Sequence, residues 1–257
     1  MLIDTHSHIA QEEFDADRDE VVARAKAAGV GVIIVVGYNV ESSLRAIEVA
    51  GRYEGLYAAV GIQPNSVAEA APDDWDRILE LLKAPRVVAI GETGLDRYRD
   101  HAPLELQQDY FDRHLRLSQA EGLPFIVHTR DSDAEVLAML REAAARGPLS
   151  GVMHSFTGAK ETAAECVELG MYISFAGMVT FKKSDDLRAV AASVPADRIL
   201  VETDSPYLSP HPLRGRRNEP AHLMHTAARL AEVRGQSTDD FIRQTTENAR
   251  RLFKLAS

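Results

Sequence analysis

The sequence is poor in cysteine and in aromatic residues: it has one Cys, one Trp and 6% Phe, Trp and Tyr together. Because the lone Cys166 cannot form an intramolecular disulfide, a disulfide-stapled secreted scaffold is excluded and a reducing compartment is favoured. The longest apolar runs, such as Val30–Val36, are too short to cross a bilayer, and no basic segment followed by an apolar stretch opens the chain. We therefore expect a cytoplasmic protein that does not insert into a membrane.

Positive charge is also in deficit, since 29 Lys and Arg stand against 39 Asp and Glu, for a formal net charge of −10. This balance disfavours broad, salt-driven binding to duplex nucleic acid or to an anionic membrane. It does not exclude a phosphate substrate, because bound metal would neutralise some carboxylates and basic residues can dominate one cleft. The acidic balance is compatible with a monomer.

Strand-like and helix-like segments alternate along the whole chain. The 257 residues, 45% of them hydrophobic, suit a single α/β barrel. The predicted strands are Leu2–His6, Gly31–Gly37, Leu56–Ile62, Arg86–Glu92, Leu123–His128, Leu149–His154, Met171–Phe175 and Arg198–Thr203. Several are apolar nearly throughout, which is typical of parallel strands covered on both faces.

Helical periodicity fills the intervals between these strands, in segments near Asp17–Ala28, Glu41–Tyr53, Asp73–Lys83, Leu104–Glu121, Asp133–Arg146, Ala159–Leu169 and Asp185–Ser193. Two more helices, Pro220–Gly235 and Thr238–Leu255, follow the last strand. Eight strand–helix units favour a closed barrel over an open sheet. The sequence therefore predicts an α/β fold, a (β/α)8 TIM-type barrel with extra C-terminal helices, as a single metal-dependent hydrolase domain over residues 1–257.

Six potential metal ligands fall at the carboxyl ends of the predicted strands. His6 and His8 share one face of the first strand, because side chains alternate along a strand. The full set is His6, His8, Glu92, His128, His154 and Asp204. Imidazole and carboxylate groups bind divalent cations, and barrel enzymes place their sites at this end of the strands. Burying Glu92 and Asp204 there without a cation would cost several kcal/mol each.

Six ligands exceed one tetrahedral zinc site and suit two divalent metal ions about 3.5–4 Å apart. We expect Glu92 to bridge the ions, and Asp204 to orient the attacking water and take its proton. Glu202, on the same strand face as Asp204, is either an outer carboxylate of the site or structural. The ligand types accept Mg²⁺, Mn²⁺ or Zn²⁺.

Seven segments, in chain order, resemble the motifs of the TatD family of metal-dependent deoxyribonucleases, which have amidohydrolase-like barrels. They are IDTHSH (3–8), GETGLD (91–96), PFIVHTRDS (124–132), GVMHSFTG (151–158), AGMVTFKK (176–183), VETDSPYL (201–208) and RGRRNEP (214–220). The resemblance implies a TIM-type barrel that hydrolyses phosphodiesters with Mg²⁺ or a similar ion by trimming single-stranded nucleic acid from its 3′ end. It places metal contacts on the same six residues.

The sequence departs from the family pattern after the third predicted strand. Members of the family often have Gly-x-His-Pro-His there, whereas this chain reads GIQPNS, with Gln63 and Asn65 in place of the imidazoles. Any contribution of those imidazoles to substrate binding or protonation must come from neutral amides here, or from elsewhere. Arg97 also stands where an aromatic residue is common.

Substrate contacts are predicted mainly on the loop that follows the last strand, which concentrates arginines in an acidic protein. The guanidinium fork matches phosphate oxygens, so we predict contacts from Arg214, Arg216 or Arg217, supported by Asn218. Arg130 is a further candidate at the rim. Tyr98 and Tyr207 could stack bases, although the few aromatics argue against an extended stacking platform.

Function is thus predicted as a divalent-metal-dependent phosphodiesterase, a 3′–5′ exonuclease on single-stranded DNA or RNA. An ester or amide hydrolase, such as an aminoacyl-tRNA deacylase, would need the same activated water and remains an alternative. A non-enzymatic metal-binding protein is disfavoured, because it would not need a complete ligand set. Relatives that act on phosphotriesters or cyclic amides commonly bridge their metals with a modified lysine on the fourth strand. This chain has Glu92 there, which counts against those activities. Nucleoside deaminases use a single zinc and a different arrangement on the fourth strand.

Overall fold

The computed structural model describes residues 1–255. Eight parallel strands form one sheet in the order of the chain. The strands are β1 (Leu2–Ser7), β2 (Val30–Val36), β3 (Leu56–Val60), β4 (Val87–Asp96), β5 (Phe125–Arg130), β6 (Gly151–Met153), β7 (Tyr172–Phe175) and β8 (Ile199–Val201). A parallel bridge between Ser7 and Ser205 joins β1 to the segment that follows β8. The predicted TIM-type barrel is therefore confirmed, as a nearly closed cylinder.

Helices connect successive strands and cover the outside of the cylinder, as the periodicity predicted. They are α1 (Arg18–Ala27), α2 (Val40–Arg52), α3 (Asp74–Leu81), α4 (Leu104–Glu121), α5 (Asp133–Arg146), α6 (Lys160–Glu168) and α7 (Asp185–Ser193). The two extra C-terminal helices are α8 (Leu223–Val233) and α9 (Thr238–Phe253). None of these helices is long and apolar enough to cross a membrane. Residues 256–257 of the predicted domain lie outside the described residues.

Apolar side chains form one layer inside the barrel and another between the strands and the helices. The inner layer contains Ile34, Ala59, Ile126 and Leu200, alternating along their strands with side chains that face the helices. Ala249, Leu252 and Phe253 of α9 join the inner layer, and Thr246 Oγ1 donates to Met1 O. Since α9 covers the end at which the strands begin, only the carboxyl end remains open for a site.

Seven of the eight strands end one to four residues from the predicted position, and three of these differences affect the candidate site. β4 continues past Glu92 to Asp96, because Thr93–Asp96 pair with Val127–Arg130 after a register shift. β6 and β8 are shorter than expected and stop at Met153 and Val201. Beyond them the backbone turns at Ser155 and Asp204, whose φ angles of 45° and 53° are left-handed and incompatible with a strand. His154 and Asp204 therefore lie on turns just past their strands.

Candidate metal centre

Four imidazoles converge at the carboxyl end of the barrel. The Nε2 atoms of His6 and His8 are 3.1 Å apart, as alternation along β1 requires. His128 from β5 and His154 after β6 form a second pair, in which His154 Nε2 lies 3.5 Å from His128 Nδ1. The ring of His6 stacks on that of His154 at a centroid distance of 4.0 Å. All four rings thus border one small volume.

The carboxylate of Glu92 lies between the two histidine pairs. Its Oε1 is 3.1 Å from His128 Nδ1 and 3.1 Å from His154 Nε2. Its Oε2 faces the other way, 3.9 Å from His6 Nε2 and 3.8 Å from His8 Nε2. Each oxygen of this carboxylate is therefore directed at a different pair.

Asp204 is the sixth predicted ligand, and it lies on the side of the first pair. Its Oδ1 is 3.8 Å from His6 Nε2 and 3.6 Å from His8 Nε2. The structure thus brings together all six side chains that the sequence singled out. They fall into two overlapping groups that share Glu92: one with His6, His8 and Asp204, the other with His128 and His154.

The ionisation of these groups in the metal-free protein follows from burial and mutual contact. Burial lowers the pKa of His6 and of His8. Burial would also lower the pKa of His128 and His154, but their carboxylate neighbours outweigh it and raise both. For Glu92, burial acts to raise the pKa, and the surrounding histidines hold it well below its usual range.

Asp204 behaves differently, because its nearest imidazoles, those of His6 and His8, lie 3.8 and 3.6 Å away and have lowered pKa values. Burial raises its pKa to about 8, more than the nearby histidines lower it. A carboxylate in such a place is disfavoured in its ionised form unless a cation is added. The donor set therefore fits divalent metal: it combines four imidazoles, the Glu92 carboxylate between them and the Asp204 carboxylate, which burial disfavours in its ionised form.

Two carboxylates hold the outer nitrogens of the second histidine pair. Asp96 Oδ2 is 3.0 Å from His128 Nε2, and Glu202 Oε1 is 3.2 Å from His154 Nδ1. Glu202 also accepts a 2.6 Å hydrogen bond from the Ser155 backbone N–H. A carboxylate that accepts from one ring nitrogen leaves the other nitrogen free to bind metal. Glu202 thus contacts His154, a candidate metal ligand, which supports its predicted role as an outer carboxylate of the site.

Asp96 was missed by the sequence prediction, which ended the fourth strand at Glu92. The signal was available, because positions 92, 94 and 96 lie on the same face of a continued strand. Asp4 was missed as well. Its buried carboxylate accepts from Thr203 N at 2.9 Å and from Thr203 Oγ1 at 2.5 Å, so that it ties β1 to the segment that carries Asp204.

A cleft of about 770 Å³ opens above the six ligands. Gln63 and Asn65, the two departures from the family pattern, both line it. Asn65 Nδ2 donates to Asp96 Oδ2 at 3.0 Å, so this amide contacts the metal site through Asp96. Two arginines also line the cleft: Arg130, which was predicted, and Arg99, which was not.

The remaining predicted substrate residues lie in varied surroundings. Tyr98 is 62% exposed, with the Arg130 guanidinium 3.6 Å from its ring centroid, so both lie at the rim.

Arg217 pairs with Asp17 at 2.6 Å. Asn218 is fully buried and donates to Thr203 O and Tyr207 O. For Arg217 and Asn218 these contacts support a structural role, and a substrate role stays a prediction without support from the geometry.

Three exposed residues, Tyr207, Arg214 and Arg216, complete the predicted set of substrate contacts. Tyr207 lines the cleft and donates to Gln11 Oε1 at 3.2 Å. Arg214 lies over the ring of Phe181, beside a separate hollow. Arg97 reaches away from the cleft and pairs with Glu135.

A parallel barrel with buried histidines and carboxylates at the carboxyl ends of its strands defines a metal-dependent hydrolase of the amidohydrolase-like class. The family model described as "TatD related DNase" matches residues 3–254. The chain belongs to this family.

Relatives in sequence and in structure agree with this assignment. "Uncharacterized metal-dependent hydrolase YabD" of Bacillus subtilis is 41% identical over 99% of this chain and 100% of its own length. "3'-5' ssDNA/RNA exonuclease TatD" of Klebsiella pneumoniae is 37% identical over 99% of this chain and 98% of its own. The crystal structure of the Escherichia coli TatD homologue YJJV superimposes with a TM-score of 0.93 at 31% identity, covering 99% of this chain and 98% of that one.

Proposed function

We propose that the protein is a two-metal phosphodiesterase that removes nucleotides from the 3′ end of single-stranded DNA or RNA. The observation that carries the proposal is the placement of Glu92, whose two oxygens face separate histidine pairs. A carboxylate so placed suits a bridge between two ions. His6, His8 and Asp204 would hold one ion, and His128 and His154 the other.

When bound, a pair of divalent ions lowers the pKa of water and neutralises charge on the oxygens of an in-line displacement. The side chains of the protein supply orientation and proton transfer. Asp204, at the mouth of the cleft, orients the attacking water and accepts its proton on the carboxylate.

The cleft favours a phosphodiester strand over a bulky apolar substrate. Arg99 and Arg130 lie at its edge, and guanidinium groups bind phosphate oxygens. Gln63 and Asn65 supply neutral amides at the positions of the family imidazoles, so substrate contacts on this side do not depend on a titrating ring. Relatives named as 3′–5′ ssDNA/RNA exonucleases support the same substrate class.

The test is cleavage of a 5′-labelled single-stranded oligonucleotide by purified protein, with Mg²⁺ or Mn²⁺ and with chelator. Stepwise shortening from the 3′ end that chelator abolishes is the expected result. An aminoacyl-tRNA offered in parallel addresses the alternative. Release of the aminoacyl group without shortening of any oligonucleotide would contradict the proposal and favour an ester hydrolase.

A further inference from the structure

A second surface of interest lies beside the cleft, where the loops after β7 and β8 meet. We call it the basic patch: Phe181, Lys182, Lys183, His211 and Arg214, around a hollow of about 370 Å³. The loops are tightly joined, since His211 N donates to Thr180 Oγ1 at 2.8 Å. A Cβ added at Gly177 would stand 2.1 Å from Leu208 O, so the two backbones are in direct contact. The two loops that carry the basic patch therefore hold each other in place.

Its cations have no carboxylate partner within residues 1–255. Arg214 lies over the Phe181 ring, with its guanidinium carbon 3.7 Å from the centroid. Lys182 and Lys183 are exposed and, like Arg214, make no salt bridge. Asp185, the first acidic residue after Lys183 in the sequence, is paired with Arg188 instead.

The patch brings three unpaired cations together in a chain with a net charge of −10, in which many other arginines are paired with carboxylates. A cluster of unpaired cations in such a chain attracts anions from outside. Stacking on Phe181 also restricts the Arg214 guanidinium while leaving its N–H edge available, and that edge matches two phosphate oxygens.

The patch adjoins the catalytic cleft. Met178 and Leu208 line the cleft, and three residues further along each loop stand Phe181 and His211 of the patch. Gly177–Thr180 is a 3-10 helix, so three residues along it span only about 6 Å. A single-stranded nucleic acid that leaves the cleft over Met178 therefore reaches Lys182 and Arg214 within a few nucleotides.

We propose that the basic patch binds the phosphodiester backbone of the substrate upstream of the nucleotide being removed. This rests on the proposed exonuclease function. Lysine and arginine contacts to phosphate carry no base specificity, so the patch would hold any single-stranded sequence. It would act only on strands long enough to reach it. The enzyme should then favour long strands over very short ones.

The experiment compares the variant Lys182→Gln/Lys183→Gln/Arg214→Gln with wild type on two substrates. One is a single strand of about 20 nucleotides, longer than a typical binding footprint of about 4–16. The other is a trinucleotide. The matched control, Lys26→Gln/Lys83→Gln/Arg251→Gln, removes the same charge from exposed positions away from the cleft. We expect the patch variant to raise KM for the long strand about 10–100-fold at low salt, because about three phosphates are no longer neutralised by the protein.

The expected effect on the trinucleotide is much smaller, and the control variant should behave as wild type. The plot of log KM against log salt concentration should become shallower by about 0.7 for each phosphate that the variant fails to neutralise. Equal KM values for patch variant and wild type on the long strand, or an equal rise in the control, would overturn the proposal.

Binding of the labelled long strand in chelator, followed by fluorescence anisotropy, separates this inference from the proposed function. If wild type cleaves and the patch variant binds the strand as tightly, the patch has no such role and the exonuclease function stands. If wild type binds but does not cleave, and the variant loses binding, the patch stands and the exonuclease function fails. If wild type neither binds nor cleaves, both proposals fail.

Discussion

The two histidine pairs of the metal centre are held in different ways. In the first pair, His8 Nδ1 contacts the backbone oxygen of Val36 at 2.9 Å, and His6 Nδ1 has no hydrogen-bond partner among the described residues. In the second pair, each outer nitrogen contacts a carboxylate, that of Asp96 for His128 and that of Glu202 for His154. The pKa values of the first pair are lowered and those of the second are raised.

This difference indicates that the two proposed metal sites are not equivalent. Neutral imidazole is the form that binds metal, so the first pair is ready to bind at neutral pH, whereas the second must release protons. Conversely, a carboxylate behind an imidazole orients the ring and makes it a stronger ligand. We therefore expect metal binding at His128 and His154 to show the stronger dependence on pH, because it displaces protons from these two rings.

Loss of the shared carboxylate should have the largest effect, because Glu92 belongs to both sites. We expect Glu92→Gln to lower kcat by about 10²–10³-fold or more. A loss of this size follows removal of a single group that stabilises the transition state. Metal content should fall at the same time. The measurements are single-strand cleavage and metal analysis of the purified variant. The control is Glu135→Gln, a variant on α5 that removes the carboxylate paired with Arg97. Wild-type turnover in Glu92→Gln would contradict the bridging role.

Removing the outer carboxylates should affect only the second pair. Asp96→Asn and Glu202→Gln are each expected to weaken metal binding at that site about 10–100-fold, because they no longer fix the imidazole tautomer. Metal titration followed by calorimetry should then show one weakened site and one unchanged site. Asp197→Asn, an exposed carboxylate before β8, is the control. Equal weakening of both sites would mean that the carboxylates act on the centre as a whole.

His114 offers a smaller test, as a buried histidine outside the metal centre. Its Nε2 accepts from Ile62 N at 3.1 Å, and burial lowers its pKa to about 4. The unfolded chain, with a His pKa near 6.5, binds more protons between these values. The contribution of His114 to stability is thus complete above pH 6.5 and is lost as the pH falls towards 4, by about 2 kcal/mol at pH 5.

Urea unfolding at several pH values measures this effect. Stability of the wild type should fall between pH 6.5 and pH 4.5, and His114→Gln, which cannot titrate there, should give a flatter curve. Since other groups titrate in the same range, the difference between the two curves is the informative quantity. Parallel curves would show that His114 is not held neutral in the folded protein.

Much of the fold was predictable from sequence, because each strand is short, apolar and separated from the next by one helix. The convergence of the six candidate ligands could be predicted for the same reason: parallel strands bring their carboxyl ends to one rim. Strand ends were less predictable. The turns at Ser155 and Asp204 depend on left-handed backbone angles, and because residues of several types adopt such angles, the residue type alone does not reveal the turn.

Partners of long side chains could not be predicted at all. Arg214 and Arg217 lie in the same loop, yet Arg217 is paired with Asp17 and Arg214 is stacked on Phe181. Sequence spacing gives no means of separating the two. Asp17 and Phe181 are close to the loop only because the barrel places the segments after β1 and β7 on either side of it.

Crystals grown with Mn²⁺ and measured at the manganese absorption edge would show whether two cations share Glu92. We expect two anomalous peaks about 3.5–4 Å apart, one next to each oxygen of Glu92. A single peak at saturating Mn²⁺, bound by one histidine pair alone, would contradict it.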